Sequence, residues 1–130
     1  MTQETLYKLN MFLLELDNKY DINSGACALV ASVIAKYCED HNIVYKTKVY
    51  YYEDECICPW HYSLVIDNIE INPSTYEYQE WEHEITQIEN NLTSKELKHK
   101  YQNTSSEYWK IKNNKIVTNL LEDFLNNIRI

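Results

Sequence analysis

The chain has 130 residues, of which 45% are hydrophobic and 13% aromatic, and it carries a formal charge of −8 at neutral pH. That length fits one domain, residues 1–130, with enough apolar material for a single core. The acid excess excludes nucleic acid or an anionic membrane as a partner held by bulk attraction, because the lysines are scattered and Glu96 dilutes their densest group, Lys95, Lys98 and Lys100. No apolar run reaches the length of a membrane span, and residues 1–20 hold Glu4, Lys8, Glu15, Asp17 and Lys19, which leaves no secretory h-region. Cys27, Cys38, Cys56 and Cys58 are too sparse for a disulfide framework, so reduced thiols in a cytoplasmic protein are expected.

Leu6, Leu9, Phe12, Leu13 and Leu16 fall at helical spacing and predict a first amphipathic helix over residues 4–19. Residues 21–26 break it, and Asn23 or Ser24 is expected to cap a second helix over about residues 27–41. Along that helix the polar Ser32, Lys36, Glu39 and Asp40 form one narrow stripe. A helix with so thin a wet face belongs at the centre of its domain. Residues 43–52, rich in β-branched and aromatic side chains, predict a strand. A hairpin follows: a strand over 61–66, the turn Asp67-Asn68, and a return strand over 69–72. If Ile66 pairs with Ile69, one sheet face carries Tyr62, Leu64, Ile66, Ile69 and Ile71. The other carries His61, Ser63, Val65, Glu70 and Asn72. Residues 76–102 read as polar helix, with the acidic stretch 77–89 as a solvated face. Val117, Leu120, Leu121, Phe124, Leu125 and Ile128 predict a last helix after an Asn113-Asn114 break.

The conformationally special residues gather in one place. The single glycine, Gly25, lies two positions before Cys27, while Pro59 precedes Trp60-His61 and Pro73 follows Asn72. Glycine permits backbone geometry that other residues resist, and proline fixes φ. Cys27, at a helix start, suits a nucleophile, since the helix N-terminus and a nearby imidazolium both favour the thiolate. His61 is the expected acid/base and Asn72 its orienter, with Glu70 the better substitute for Asn72. The Cys27 N–H, with Asn23 or Ser24, is the expected oxyanion donor, and Trp60 is assigned to the rim. Each residue also has a plainer reading: Cys27 as a small core side chain, His61 as a satisfied buried histidine, and Asn72-Pro73 as a strand terminator. Cys38-x-x-His41 and Cys56-x-Cys58-x-x-His61 offer soft ligands, but a one-residue gap chelates one zinc poorly, so no metal and no cofactor are expected.

The order NSGAC at the start of a buried helix, followed by WHYSLVIDNIEINPS, resembles the papain-like superfamily. The transglutaminase-core and NlpC/P60-like branches, which include short phage-borne members, look most similar over residues 21–75. Asn72 stands where transglutaminase-like proteins usually have Asp. The resemblance implies an α+β fold: a papain-like core whose buried helix carries the cysteine and packs on a small antiparallel sheet, with flanking helices. It also implies a cysteine hydrolase or acyltransferase with a Cys27-His61-Asn72 triad. The bond attacked would be an amide, thioester or isopeptide, in a peptide-like or small acyl substrate. The second reading is a non-catalytic acidic binding protein on the same scaffold, holding a host protein or a small signalling ligand. The abundance of Asn, Lys, Ile and Tyr, which suggests AT-rich coding, fits a phage or mobile element.

Overall fold

The computed structural model describes residues 1–52, 60–73, 85–104, 110 and 112–128. Helix α1 (Gln3–Tyr20) begins at Thr2, whose hydroxyl accepts the Thr5 N–H at 3.1 Å. It ends at Asp21, whose N–H still bonds the Asp17 carbonyl while its left-handed backbone turns the chain out of the helix. Leu6, Leu9, Leu13 and Leu16 face inward, as their spacing requires. A single 3-10 turn, Ile22–Ser24, and Gly25 (φ 137°) lead into helix α2 (Cys27–Asp40).

Cys27 to Ser32 are all buried in α2, as are Ile34, Ala35, Tyr37 and Cys38. The buried Ser32 hydroxyl donates to the Leu29 carbonyl at 2.6 Å, so it needs no contact with water. The thin polar stripe thus does mark a central helix, packed against the sheet and two later helices. Its cap differs from expectation. Ala26, not Asn23 or Ser24, stands at the N-cap and contributes no side-chain bond, because Asn23 and Ser24 are taken up in the preceding 3-10 turn.

Four strands follow: β1 (Lys46–Tyr52), β2 (Trp60–Ile66), β3 (Ile69–Ile71) and β4 (Ile85–Asn90). They form one antiparallel sheet in the order β3-β2-β1-β4. The first strand starts later than its composition suggests, and Val44, ahead of it, is 84% exposed. The hairpin register is the one expected, Ile66 opposite Ile69 and Leu64 opposite Ile71. Asp67 and Asn68 both have φ near the left-handed region (50° and 64°), the conformation of the tight turn that matches strand twist.

Val49, Tyr62, Leu64, Ile66 and Ile71 join the helices in one core, while Lys48, Tyr50, His61, Ser63 and Glu70 share the other sheet face. The helical reading of residues 76–102 is corrected in part. Residues 85–90 are strand β4, paired to β1, and residues 74–84 lie outside the described residues. Ile85 and Ile88 are three apart, a helical spacing, and β1's unpaired edge overrides it.

Helix α3 (Ser94–Thr104) opens with a reciprocal cap: Thr93 N–H donates to the Glu96 carboxylate and Glu96 N–H to the Thr93 hydroxyl, both at 3.1 Å. Helix α4 (Asn114–Asn127) buries Val117, Leu121 and Leu125 and reaches α1 through stacked Phe12 and Phe124 rings. The architecture is α+β, helices on one face of a small sheet. No helix among the described residues is long and apolar enough to cross a membrane.

Candidate active site

The site lies where β3 stops. In a two-residue hairpin the closing pair exchanges both main-chain bonds, so Ile66, Leu64, Tyr62 and Trp60 all direct their peptide groups toward the β3 side. Pairing with β3 ends at Leu64, and among the described residues no strand continues it alongside the first half of β2. The start of α2 arrives there instead. Cys27, the first residue of α2 and 3% exposed, places its Sγ 3.6 Å from the Trp60 carbonyl, to which the thiol donates. The thiol therefore meets β2 at its edge, at the peptide that joins Trp60 to His61.

His61 is 5% exposed, with its Nε2 2.9 Å from the main-chain carbonyl of Asn72. A carbonyl only accepts, so Nε2 carries the hydrogen, and in the neutral ring Nδ1 is the basic atom. Burial pulls the His61 pKa below its usual 6.5, partly opposed by the Asn72 carbonyl and by the negative charges of Glu70 and Asp17. The Tyr50 ring packs against the imidazole, centroids 5.9 Å apart. Glu70, the expected substitute orienter, does not bond His61. Its carboxylate accepts from the Tyr50 hydroxyl (2.7 and 2.8 Å) and the Ser63 hydroxyl (2.8 Å), with Lys48 Nζ at 3.5 Å.

Asn72 orients His61 by a different atom from the one expected. Its side-chain amide pairs with that of Asn23, through Asn72 Nδ2 to Asn23 Oδ1 at 3.1 Å and Asn23 Nδ2 to Asn72 Oδ1 at 3.4 Å. Its left-handed backbone (φ 58°) leaves the carbonyl to take the imidazole N–H. Asn23 is further held by its N–H, which donates to Asp17 Oδ1 at 3.0 Å. A residue the sequence reading passed over, Asn10 of α1, accepts the Asn72 N–H at 2.8 Å and donates to the Glu70 carbonyl at 3.0 Å. A lone asparagine on the flank of an amphipathic helix gives no pattern by which to find it.

Cys27, Trp60, His61, Asn72 and Asn23 are thus gathered at the end of β3. Cys27 Sγ donates to the Trp60 main-chain carbonyl and His61 Nε2 to that of Asn72. The Trp60 ring, 36% exposed, leans on Tyr51 at 4.7 Å and occupies the rim. Gly25 serves by conformation: a Cβ there would meet nothing within 4 Å, but its φ of 137° is rarely open to other residues. Ser24 lies in the 3-10 turn just ahead of it.

Cys38 is remote from this chemistry: fully buried, with burial pushing its thiol pKa up to about 12. His41, weighed above with Cys38 as a soft ligand and set aside, bonds the Tyr37 carbonyl through Nδ1 at 2.8 Å and stacks on the Tyr37 ring. Cys56 and Cys58 lie outside the described residues, among which no three potential metal ligands cluster. A groove of about 860 Å³ between α2, α3 and α4 includes none of Cys27, His61 or Asn72. Comparison with models of protein families, with curated proteins and with solved structures finds no match for this chain.

Proposed function

We propose that this protein is a cysteine hydrolase or acyltransferase with a papain-like core, acting on an amide, thioester or isopeptide-type bond in a peptide-like or small acyl substrate. The reading rests on one observation: Cys27 Sγ lies 3.6 Å from the carbonyl of Trp60, the residue before His61, whose Nε2 is occupied by Asn72 so that Nδ1 is the basic atom. The thiol proton passes to His61 Nδ1, and the Cys27 sulfur attacks the substrate carbonyl carbon. The imidazolium then returns the proton to the departing amine or thiol, leaving an acyl-enzyme. Water, or an acceptor amine, attacks that acyl group with His61 as base, and the thiol is regenerated. The start of α2 favours the thiolate through the helix dipole, which also favours a developing oxyanion there.

A second reading, a binding protein on the same scaffold, draws on the 3% exposure of Cys27 and on the donation of its thiol to a main-chain carbonyl. Alkylation with iodoacetamide across pH 5–9 separates the two, with Cys27→Ala as the control. The enzyme reading expects Cys27 to react at pH 6 at least tenfold faster than a free thiol, and His61→Ala to abolish the excess. A rate at pH 6 no greater than that of a free thiol removes the enzyme reading. Retained biological effect in Cys27→Ala then supports the binding protein.

A further inference from the structure

We infer that Asn10, on α1, is a positioning residue for His61, acting through the main chain of Asn72. This rests on the hydrolase reading for its purpose, though not for its geometry. In β3, Ile69 and Ile71 direct their peptide groups to β2, so Glu70 and Asn72 direct theirs to the open edge of the sheet. The Asn10 side-chain amide occupies that edge as a neighbouring strand would: Oδ1 accepts the Asn72 N–H at 2.8 Å and Nδ2 donates to the Glu70 carbonyl at 3.0 Å.

In an extended strand the N–H and C=O of one residue point to the same side. At Asn72 they part. The N–H goes outward to Asn10, while the carbonyl turns to His61 Nε2 on β2, at 2.9 Å. The left-handed φ of 58° makes that possible; asparagine tolerates it better than most residues, and the bonds made around it fix which way its carbonyl points. Asn10 and Asn23 supply those bonds, one at the backbone and one at the side chain. Of these, Asn10 touches the backbone whose direction decides the His61 tautomer. Both of its bonds run to the main chain of β3 and Asn72, so its effect on chemistry is indirect.

The test is 15N NMR of the His61 imidazole, with the pH profile of Cys27 alkylation run in parallel. Asn10→Leu keeps the branching at Cγ and suits a helix while removing both bonds, and Asn10→Asp keeps only the acceptor for the Asn72 N–H. Asn10→Leu is expected to replace the single Nε2–H tautomer by a mixture and to slow Cys27 alkylation at pH 6 about tenfold. Asn10→Asp is expected to restore the Nε2–H form. A folded Asn10→Leu protein with the wild-type tautomer overturns the inference, as does an Asn10→Asp protein that behaves like Asn10→Leu. Should Asn10→Leu not fold, Asn10→Ala is read by the same criteria. If Cys27 proves unactivated in the wild type, the hydrolase reading falls, and the NMR result still decides whether Asn10 sets the tautomer.

Discussion

The Tyr50 hydroxyl lies 2.8 and 2.7 Å from the two carboxylate oxygens of Glu70, although β2 separates their strands. The contact passes over Ser63, whose hydroxyl joins the same carboxylate at 2.8 Å. Half-buried carboxylates survive on this sort of support, since each bond to a charged acceptor is stronger than one to a neutral group. Tyr50 in turn walls the His61 ring, so the network reaches the site through packing and charge.

Glu70→Gln should therefore destabilise the protein by about 1–3 kcal/mol, the range for a lost charge-assisted bond. It should also lower the His61 pKa further, because the nearby negative charge of Glu70 favours the protonated ring. Urea denaturation reads the first and an NMR titration of His61 the second. An unchanged His61 titration in a folded Glu70→Gln variant contradicts the electrostatic link.

Burial of neutral His61 predicts a pH dependence with a definite sign. The folded pKa is below 6.5, so between that pKa and 6.5 the unfolded chain binds the extra proton. Stability is full above the unfolded pKa and declines as pH falls below it, by at most about 1.4 kcal/mol per pH unit for this one group. Denaturation curves at pH 7.5, 6.5, 5.5 and 5.0 measure the decline. His61→Gln should flatten it, and an equal decline in that variant would assign it to other groups.

Cys38 serves as an internal reference for Cys27. Fully buried, with its pKa pushed up to about 12, it should resist iodoacetamide in the native protein and react only on unfolding. Peptide mapping after native and denatured labelling tests this. Cys38→Ala should cost about 1 kcal/mol through the cavity it leaves, without altering the alkylation rate at Cys27.

Phe12 and Phe124 stack with ring centroids 4.3 Å apart and planes within 4°, tying α1 to α4. A double-mutant cycle to leucine should give a coupling of about 0.5–1.5 kcal/mol. Zero coupling by thermal or urea unfolding would mean that the two helices are held only by the leucine core beneath the rings.

Much of the fold was legible because it depends on neighbours in the chain. Leucines at helical spacing mark α1 and α4, and the narrow polar stripe of α2 announces its burial. Asp67-Asn68 admits left-handed backbone at two consecutive positions, and that alone sets the register Ile66 to Ile69, and with it the faces of Tyr62 and His61. Gly25, Pro59 and Pro73 likewise pointed to the end of β3, where Cys27, Trp60, His61 and Asn72 meet.

What the tertiary structure decided are matters in which two distant segments compete for the same group. Residues 85–90 are strand because the edge of β1 needs a partner, a demand absent from their own spacing. Ala26 takes the cap of α2 because Asn23 is drawn to Asn72, 49 residues away. Asn72 serves His61 with its carbonyl and not its amide because Asn10, 62 residues away, holds its N–H outward. Side-chain chemistry is written in residue types and local spacing. The direction of a single main-chain carbonyl depends on one φ angle, and that angle is fixed only when the chain has folded around it.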